Sequence, residues 1–567
     1  MTPITANPSQ IMVEQLAASG VKYVFYNSGS REARFFDALH VHPDIDGILA
    51  LHEGSVASMA GGYTQVGLDP AVMVVHLGAG LAQCLGQLIN VWSGSLPVVV
   101  ITFAGDTGSY GDKVGLDLSH NAGPTSIAEP FTKASWAVIE PDGLPQAIYR
   151  ALLVARTPPV GPVHLAVYDR LLDDQQVSTN LIEGPIPDLK AGYPGDSDVE
   201  AVARALHDAE RPLVYAGDGI WKSGAETKLT SFAERYGVPI AGNWAEMRRV
   251  PKDHPLLCGR LDEAVGAIEP DLIVNVGVRV GGRGKPQDFD ALSKVPRRIA
   301  IGSDGDNLKN IPGLDHGILA DEGRMLERLE GHVKSDRFAD RRGWAQAKAE
   351  FLRTRRLKSA QRVGPVESRV RPWVLADQMD QALARVGGGH VMVEQYAVTL
   401  DGVSAPDPRN VYLRAAGGSE GYGIGGTVGV KLAAPDQPVV GLVGDGSMFY
   451  ADSGIWTAVH HRIPLLYVIS NNQSYGIVSG AFSRAEGVMK ETGEYAGVAL
   501  EGIDPVKIAD GFGMDGARVS EESELTGALD KGLQVAVKEQ RPYLLDVRLP
   551  LGLPDGGRGA APFQLSR

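Results

Sequence analysis

Two short polar stretches of this 567-residue chain carry residue types suited to metal and phosphate chemistry. One is Gly444-Asp445-Gly446-Ser447 and the other is Asn471-Asn472-Gln473-Ser474-Tyr475-Gly476. Asp445 offers a carboxylate, Asn472 a side-chain amide, and Ser474 a backbone carbonyl. Such an all-oxygen donor set suits a hard cation, Mg²⁺ or Ca²⁺, and not zinc. The glycines let the backbone approach a phosphate, and a helix starting at such a turn favours the negative charge.

The surrounding pattern predicts the elements that bring these residues together. Val439-Val440-Gly441-Leu442-Val443 reads as a buried strand. Ile455, Trp456, Val459 and Ile463 fall near helical spacing before Pro464, and Leu465 to Ile469 reads as a second strand. In a right-handed βαβ unit the carboxyl ends of both strands open at one sheet edge. Asp445 and Asn472, distant in sequence, would meet there.

GDGS followed by NNQSYG across one βαβ period resembles the signature of the thiamine diphosphate (ThDP) enzymes. That resemblance implies ThDP and Mg²⁺ as cofactors. Asp445, Asn472 and the Ser474 carbonyl would hold the metal. Gly444, Gly446, Ser447, Tyr475 and Gly476 would line the diphosphate. Residues 415–426, AAGGSEGYGIGG, resemble the family's segment before the metal site, where a bulky apolar residue bends the cofactor. An ungapped count back from Asp445 puts Glu420 at that wedge. Its aliphatic stem could support the rings while its head seeks a partner or stays protonated. A small gap would place Tyr422 there instead. Gly418, and Tyr396 beyond the strand His390 to Val393, are further cofactor-binding candidates.

The N-terminal third alternates strands and helices, so polar residues at its strand ends are site candidates. YNSGSREARFFDAL, LALHEGSVASMAGGYTQ, VVHLGAGLAQCLGQLINVWSGSLPVVVITFAGD and GPVHLAVYD resemble the pyrimidine-binding domain of the same enzymes, most closely benzoylformate decarboxylase and its relatives. This implies that Glu53 hydrogen-bonds a pyrimidine nitrogen of ThDP and controls its tautomer. It also implies that His76 transfers protons and that Ser30 contacts substrate. The plainer readings are a strand-end histidine for His76 and a helix N-cap for Ser30. His120 is a weaker candidate. Ser9 is expected to cap a helix from Gln10 to Ser19, and His52 to point away from Glu53's surroundings.

A middle region of alternating strands follows a Gly/Pro/Asp linker, Gly192 to Asp198. Gly277-Val278-Arg279-Val280-Gly281-Gly282-Arg283 is similar to a segment of acetolactate synthases that meets FAD, and in oxalyl-CoA decarboxylases this domain holds ADP or CoA. The preferred reading is two solvated arginines on a loop. Residues 333–371 are highly charged with both signs interleaved, which predicts a solvated helix and linker. Beyond Gly476 a helix and loop are expected to cover the site, with Ile477, Val478 and Phe482 facing substrate and Glu494 as a polar contact. The Gly/Pro tail from Leu551 is read as loose.

The fold expected is α/β in three domains, each a mainly parallel sheet flanked by helices: pyrimidine-binding (1–185), middle (190–345) and diphosphate-binding (366–567). Fifty-four Lys and Arg against 68 Asp and Glu give a net charge of −14, which argues against nucleic acid and anionic membrane as partners. Cys84 and Cys258 lie far apart with no CxxC, as expected in a reducing compartment. The first residues lack a basic and an apolar signal region, and no apolar run reaches membrane-spanning length. The expectation is a cytoplasmic protein.

The function expected is ThDP- and Mg²⁺-dependent, non-oxidative cleavage or formation of a C–C bond on a 2-oxo acid or acyl substrate, in the manner of benzoylformate decarboxylase. The alternatives are an acetolactate synthase-like carboligase, a 2-hydroxyacyl-CoA lyase, or a ThDP-fold binding paralogue without activity. In the family the two halves of the site come from different subunits, which implies a dimer or tetramer.

Overall fold

The computed structural model describes residues 1–105, 123, 125–172, 175–280, 286–333, 338–451, 453–552 and 564–565. His120, the segment from Gly281 to Arg283 and most of the tail after Leu551 lie outside these residues.

Strand segments such as Val98–Ala104 are apolar at nearly every position and buried throughout. That is the composition of a parallel strand covered on both faces. Three six-stranded parallel sheets are built from such segments. The first runs Asp46–Leu49, Tyr23–Tyr26, Ala71–His76, Val98–Ala104, Val163–Tyr168, Ala134–Val138. The middle one runs Leu257–Gly259, Ile240–Gly242, Pro212–Ala216, Leu272–Val276, Arg297–Gly302, His316–Leu319. The third runs Asn410–Arg414, Gly389–Glu394, Val439–Gly444, Leu466–Asn471, Tyr543–Arg548, Gly516–Val519. In each, strand order reverses next to a central strand, which opens a crevice at the carboxyl edge.

The first and third sheets are joined through one apolar core that includes Met59, Leu88, Tyr422, Val428 and Ile455. Its centre is the crossing of helix Glu53–Gly67 with helix Tyr422–Ala433. Glycine makes this approach possible. A Cβ on Gly62 would lie 2.1 Å from the Gly426 carbonyl oxygen, and one on Gly429 would lie 2.0 Å from that of Met59.

Several local expectations are corrected. The first helix is Pro8–Ala18, and Asn7, not Ser9, caps it through a reciprocal capping box with Gln10. Pro8 starts it because a first-turn residue needs no N–H partner. Helix Asp196–Asp208 begins inside the stretch read as linker. The charged helix Ala339–Ala360 is not wholly solvated: Ala345, Ala349 and Leu352 are buried in the middle domain's cores. Arg341 bonds the carbonyls of Leu206, Ala209 and Tyr236, so its charge serves helix ends rather than water. After the Asp445 turn the single expected helix is two short ones, Asp445–Met448 and Gly454–His460.

Candidate active site

In the third sheet, strands Val439–Gly444 and Leu466–Asn471 are parallel neighbours, with Gly444 opposite Ser470. The two polar turns therefore leave the same edge side by side. Asp445 is 3 % exposed, and on the facing turn Gln473 N–H donates to Asn471 Oδ1 at 3.2 Å. Burial pushes this carboxyl up to about 7. Asn472 donates its amide N–H to the Gly552 carbonyl at 2.8 Å, which fixes Oδ1 as the acceptor facing Ser474. Gly552 N–H returns a bond to the Asn472 carbonyl, so the tail begins tied down rather than loose. The buried Ser474 hydroxyl has no partner among the described residues. Tyr475 lays its ring on Gly446, where a Cβ would come within 2.6 Å.

The loop 415–421 closes over this turn. Glu420 is half-buried, and its head has found partners: Ser447 Oγ donates to one oxygen at 2.5 Å and Tyr396 Oη to the other at 3.3 Å. The Arg414 guanidinium lies over the Tyr396 ring. Tyr422 does not compete for the wedge. It is fully buried at the helix crossing, beside Gly61. Gly418 adopts φ 72° and Gly421 φ 101°, which favour glycine. Glu394 ends its strand against the N-terminus of helix Tyr422–Ala433 and accepts from Tyr422 N–H at 2.8 Å and Gly423 N–H at 2.7 Å. Burial, with Glu420 nearby, pushes the Glu394 carboxyl up to about 8.

In the N-terminal domain, Glu53 is the first residue of its helix, and His52 caps that helix by accepting from Gly54 N–H at 2.9 Å. His52 thus fixes the turn that carries Glu53, a role its sequence neighbourhood did not suggest. Glu53 Oε1 lies against Gly80, where a Cβ would be 3.2 Å away. Burial, with the Glu53 charge nearby, pushes the Cys84 thiol up to about 12.

His76 ends strand Ala71–His76, and Leu77 turns the chain into the next helix at φ 54°. A left-handed non-glycine residue costs about 1 kcal/mol or more and marks a position held by its surroundings. His76 Nδ1 is 2.6 Å from Glu32 Oε1. Glu32 is 1 % exposed; burial raises its carboxyl and the imidazole opposes this. Gly29 packs on the imidazole so closely that a Cβ would sit 2.1 Å from Nδ1. Ser30, next in the chain, is exposed, and no side-chain cap bond is made at the start of this short helix. The structure therefore brings Ser30 and His76 to one strand-end crescent. Glu32 was missed from sequence because a lone glutamate after SGSR carries no spacing signal of its own.

The side chains of the two halves meet through the chain itself. Gln87 donates to the Glu420 carbonyl at 2.6 Å and Asn90 to the Ser419 carbonyl at 2.7 Å. The loop 415–421 is thus pinned to the helix Leu77–Ser93, which follows His76.

Comparison with known proteins agrees with this geometry. Three family models match in order: the N-terminal TPP binding domain of thiamine pyrophosphate enzymes over residues 7–123, their central domain over 199–329, and their C-terminal TPP binding domain over 390–547. The chain belongs to the thiamine pyrophosphate enzyme family. A sulfoacetaldehyde acetyltransferase from Castellaniella defragrans is 25% identical, covering 97% of this chain and 94% of that protein. A benzoylformate decarboxylase from Pseudomonas aeruginosa is 26% identical over 94% of this chain and 97% of its own length. The structure of a thiamine diphosphate-dependent 4-hydroxybenzoylformate decarboxylase from Rhodococcus jostii RHA1 superposes with a TM-score of 0.80 at 25% identity, covering 96% of this chain and 99% of that one.

As a thiamine pyrophosphate enzyme, the chain presents residues that fit its cofactor. A buried carboxylate lacking full compensation, an amide oxygen fixed by its neighbour and an orphaned serine hydroxyl converge on one turn pair, as an anchored diphosphate with its cation requires. Among the described residues no cluster of three or more His, Cys, Asp or Glu side chains that could hold a metal ion is present.

Where the middle domain of this thiamine pyrophosphate enzyme meets the other two lies a cavity of about 310 Å³, lined in part by Gln65, Asp218, Lys222, Arg248, Arg279 and His390. Arg279 is not the solvated arginine expected: its Nε is 3.1 Å from Asp218, and both are buried or nearly so. Lys222 bonds the same carboxylate and the Gly94 carbonyl. Gly219 N–H is used by the Gly277 carbonyl. Arg279 Nη1 stays buried without a partner among the described residues, so the Asp218 pairing does not use up this guanidinium. Among the described residues no helix is long and apolar enough to cross a membrane.

Proposed function

We propose that this thiamine diphosphate-dependent enzyme is Mg²⁺-dependent and cleaves or forms the C–C bond beside the carbonyl of a 2-oxo acid, acting as a decarboxylase of the benzoylformate decarboxylase kind. The observation that carries this reading is the His76–Glu32 pair beside Ser30, at the same sheet edge as Glu53. Bound ThDP supplies the electron sink for the bond next to the carbonyl, and Mg²⁺ neutralises its diphosphate.

The chain's own residues divide the remaining work. Asp445, the Asn472 amide oxygen and the Ser474 carbonyl hold the cation. Gly444, Gly446, Ser447, Tyr475 and Gly476 line the diphosphate, with Gly418 and Tyr396 at its rim. Glu420 supports the rings through its stem while Ser447 and Tyr396 hold its head. Glu53 bonds a pyrimidine nitrogen and sets its tautomer. Glu32 binds His76 at Nδ1, which leaves Nε2 to pass a proton at the substrate carbon. Ser30 offers a hydroxyl to the substrate carboxylate.

Ile477, Val478 and Val488 expose apolar surface beyond the cation turn, which supports a role in excluding water or in self-association as a dimer or tetramer. The runner-up is an acetolactate synthase-like carboligase or a 2-hydroxyacyl-CoA lyase. A substrate panel tests the reading: 2-oxo acids including benzoylformate, 2-hydroxyacyl-CoAs, and sulfoacetaldehyde with phosphate, each with ThDP and Mg²⁺ and product mass detection. Aldehyde and CO₂ from a 2-oxo acid are expected. Turnover confined to the acyl-CoA or sulfoacetaldehyde arms would replace this reading.

A further inference from the structure

Glu53 sits just past the open edge of its sheet. Strand Asp46–Leu49 pairs with Tyr23–Tyr26 on one side and, among the described residues, has no strand on the other. An edge residue alternates its polar groups between partner strand and solvent. At Leu49 both outward groups are taken, and by side chains of the C-terminal domain. Leu49 N–H donates to His461 Nε2 at 3.0 Å, and Thr457 Oγ1 donates to the Leu49 carbonyl at 3.1 Å. On the far side of Glu53, the Ser55 hydroxyl is 3.1 Å from that of Ser453. Ser453, Thr457 and His461 all belong to the segment that immediately follows the Asp445 turn.

We propose that His461, with Thr457 and Ser453, is a positioning residue for Glu53, linking the backbone on both sides of Glu53 to the segment that follows the diphosphate turn. The inference rests on the reading of Glu53 as the residue that meets the pyrimidine. Between Leu49 and Glu53 lie Ala50, Leu51 and His52, and His52 caps the helix that Glu53 begins. A shift of the strand end therefore moves the carboxylate. Edge groups bond water readily, so these side chains are not required to satisfy the backbone; what they add is a fixed position. A misplacement of about 1 Å is enough to cost a large factor in a proton transfer.

The imidazole must be neutral at Nε2 to accept. Burial and the neighbouring His460 lower the His461 pKa, while Asp46 on the facing strand opposes this. His460 is itself stacked on Trp456, with ring centroids 4.4 Å apart. The folded-state pKa lies below the ordinary histidine value. The link is therefore intact above that ordinary value and is lost as pH falls through the lowered one.

The test compares the wild type with His461→Leu, His461→Gln, Thr457→Val and Glu53→Gln. Two rates are read: hydrogen exchange at the Leu49 amide without cofactor, and exchange of the thiazolium C2 proton of bound ThDP with Mg²⁺. His461→Leu is expected to speed Leu49 exchange and to slow C2 exchange by about tenfold. His461→Gln, which keeps an acceptor that does not titrate, is expected to restore both to within about threefold and to remove the loss on acidification. Thr457→Val gives the same direction as His461→Leu and stands in if that variant does not fold. Wild-type C2 exchange in His461→Leu and Thr457→Val, or failure of His461→Gln to rescue, overturns the inference. Unchanged C2 exchange in Glu53→Gln would instead overturn the reading of Glu53 on which it rests.

Discussion

His76 and Glu32 show what a single pair of residues contributes. A buried carboxylate 2.6 Å from Nδ1 holds that nitrogen and fixes the orientation of the imidazole. Glu32→Gln keeps the shape of the side chain but removes the charge that holds the N–H. It is expected to lower kcat by 10- to 100-fold (about 1.4 to 2.7 kcal/mol of barrier) with ThDP affinity unchanged, as read by steady-state kinetics and a cofactor titration. A parallel loss of ThDP binding would show that Glu32 shapes the pocket instead. Glu53, Asp445 and Asn472 were legible as candidates because their motifs fix residue type and spacing together. Glu32 and His52 were not, since each acts through a contact made only after the chain folds. Glu420 was legible as a departure, but its partners Ser447 and Tyr396 come from different strand ends.

Elements show the same division. The strands were readable because a doubly covered parallel strand is apolar without interruption. Helix starts were less so. Asn7 and Ser9 are both good caps by type, and only the Asn7–Gln10 reciprocal bond and Pro8 decide between them. The crossing of helices Glu53–Gly67 and Tyr422–Ala433 depends on glycines whose closeness no local pattern reveals. Gly62→Ala puts a methyl into the Gly426 carbonyl, and it is expected to destabilise the chain by about 1–3 kcal/mol, seen as a lower urea midpoint. A neutral outcome would mean that the helices separate at little cost.

The Asp445 turn adds a pH dependence at this scale. Its carboxyl is raised from 3.8 to about 7 by burial. The folded chain thus binds a proton that the unfolded chain releases, and this contribution to stability is present below the ordinary carboxylate value and lost as pH rises through about 7. Its upper bound is about 4 kcal/mol. A bound cation reverses the preference. ThDP with Mg²⁺ is therefore expected to raise the thermal midpoint more at pH 8 than at pH 6, and Asp445→Asn to remove that difference. An equal shift at both pH values in the wild type would count against Asp445 as a cation ligand.

At the scale of the whole molecule, three parallel sheets divide the labour. The first carries Glu53, His76 and Ser30 at its edge, the third carries the Asp445 and Asn472 turns and the loop 415–421, and the middle one is held to the first by Lys222 and by Arg248, whose guanidinium stacks on Trp221 and bonds the Gln65 carbonyl. The alternation of strand and helix made this architecture readable from the chain. The middle-domain charges misled, because Arg279 looks solvated in a loop and becomes buried only when Asp218 folds against it. Decarboxylation of a 2-oxo acid is the central claim, and CO₂ release measures it most directly. The chain loaded with ThDP and Mg²⁺ is expected to release one CO₂ per aldehyde formed from its preferred 2-oxo acid, with at least about 100-fold loss in Glu53→Gln. Turnover that Glu53→Gln leaves intact, or that no 2-oxo acid supports, would contradict it.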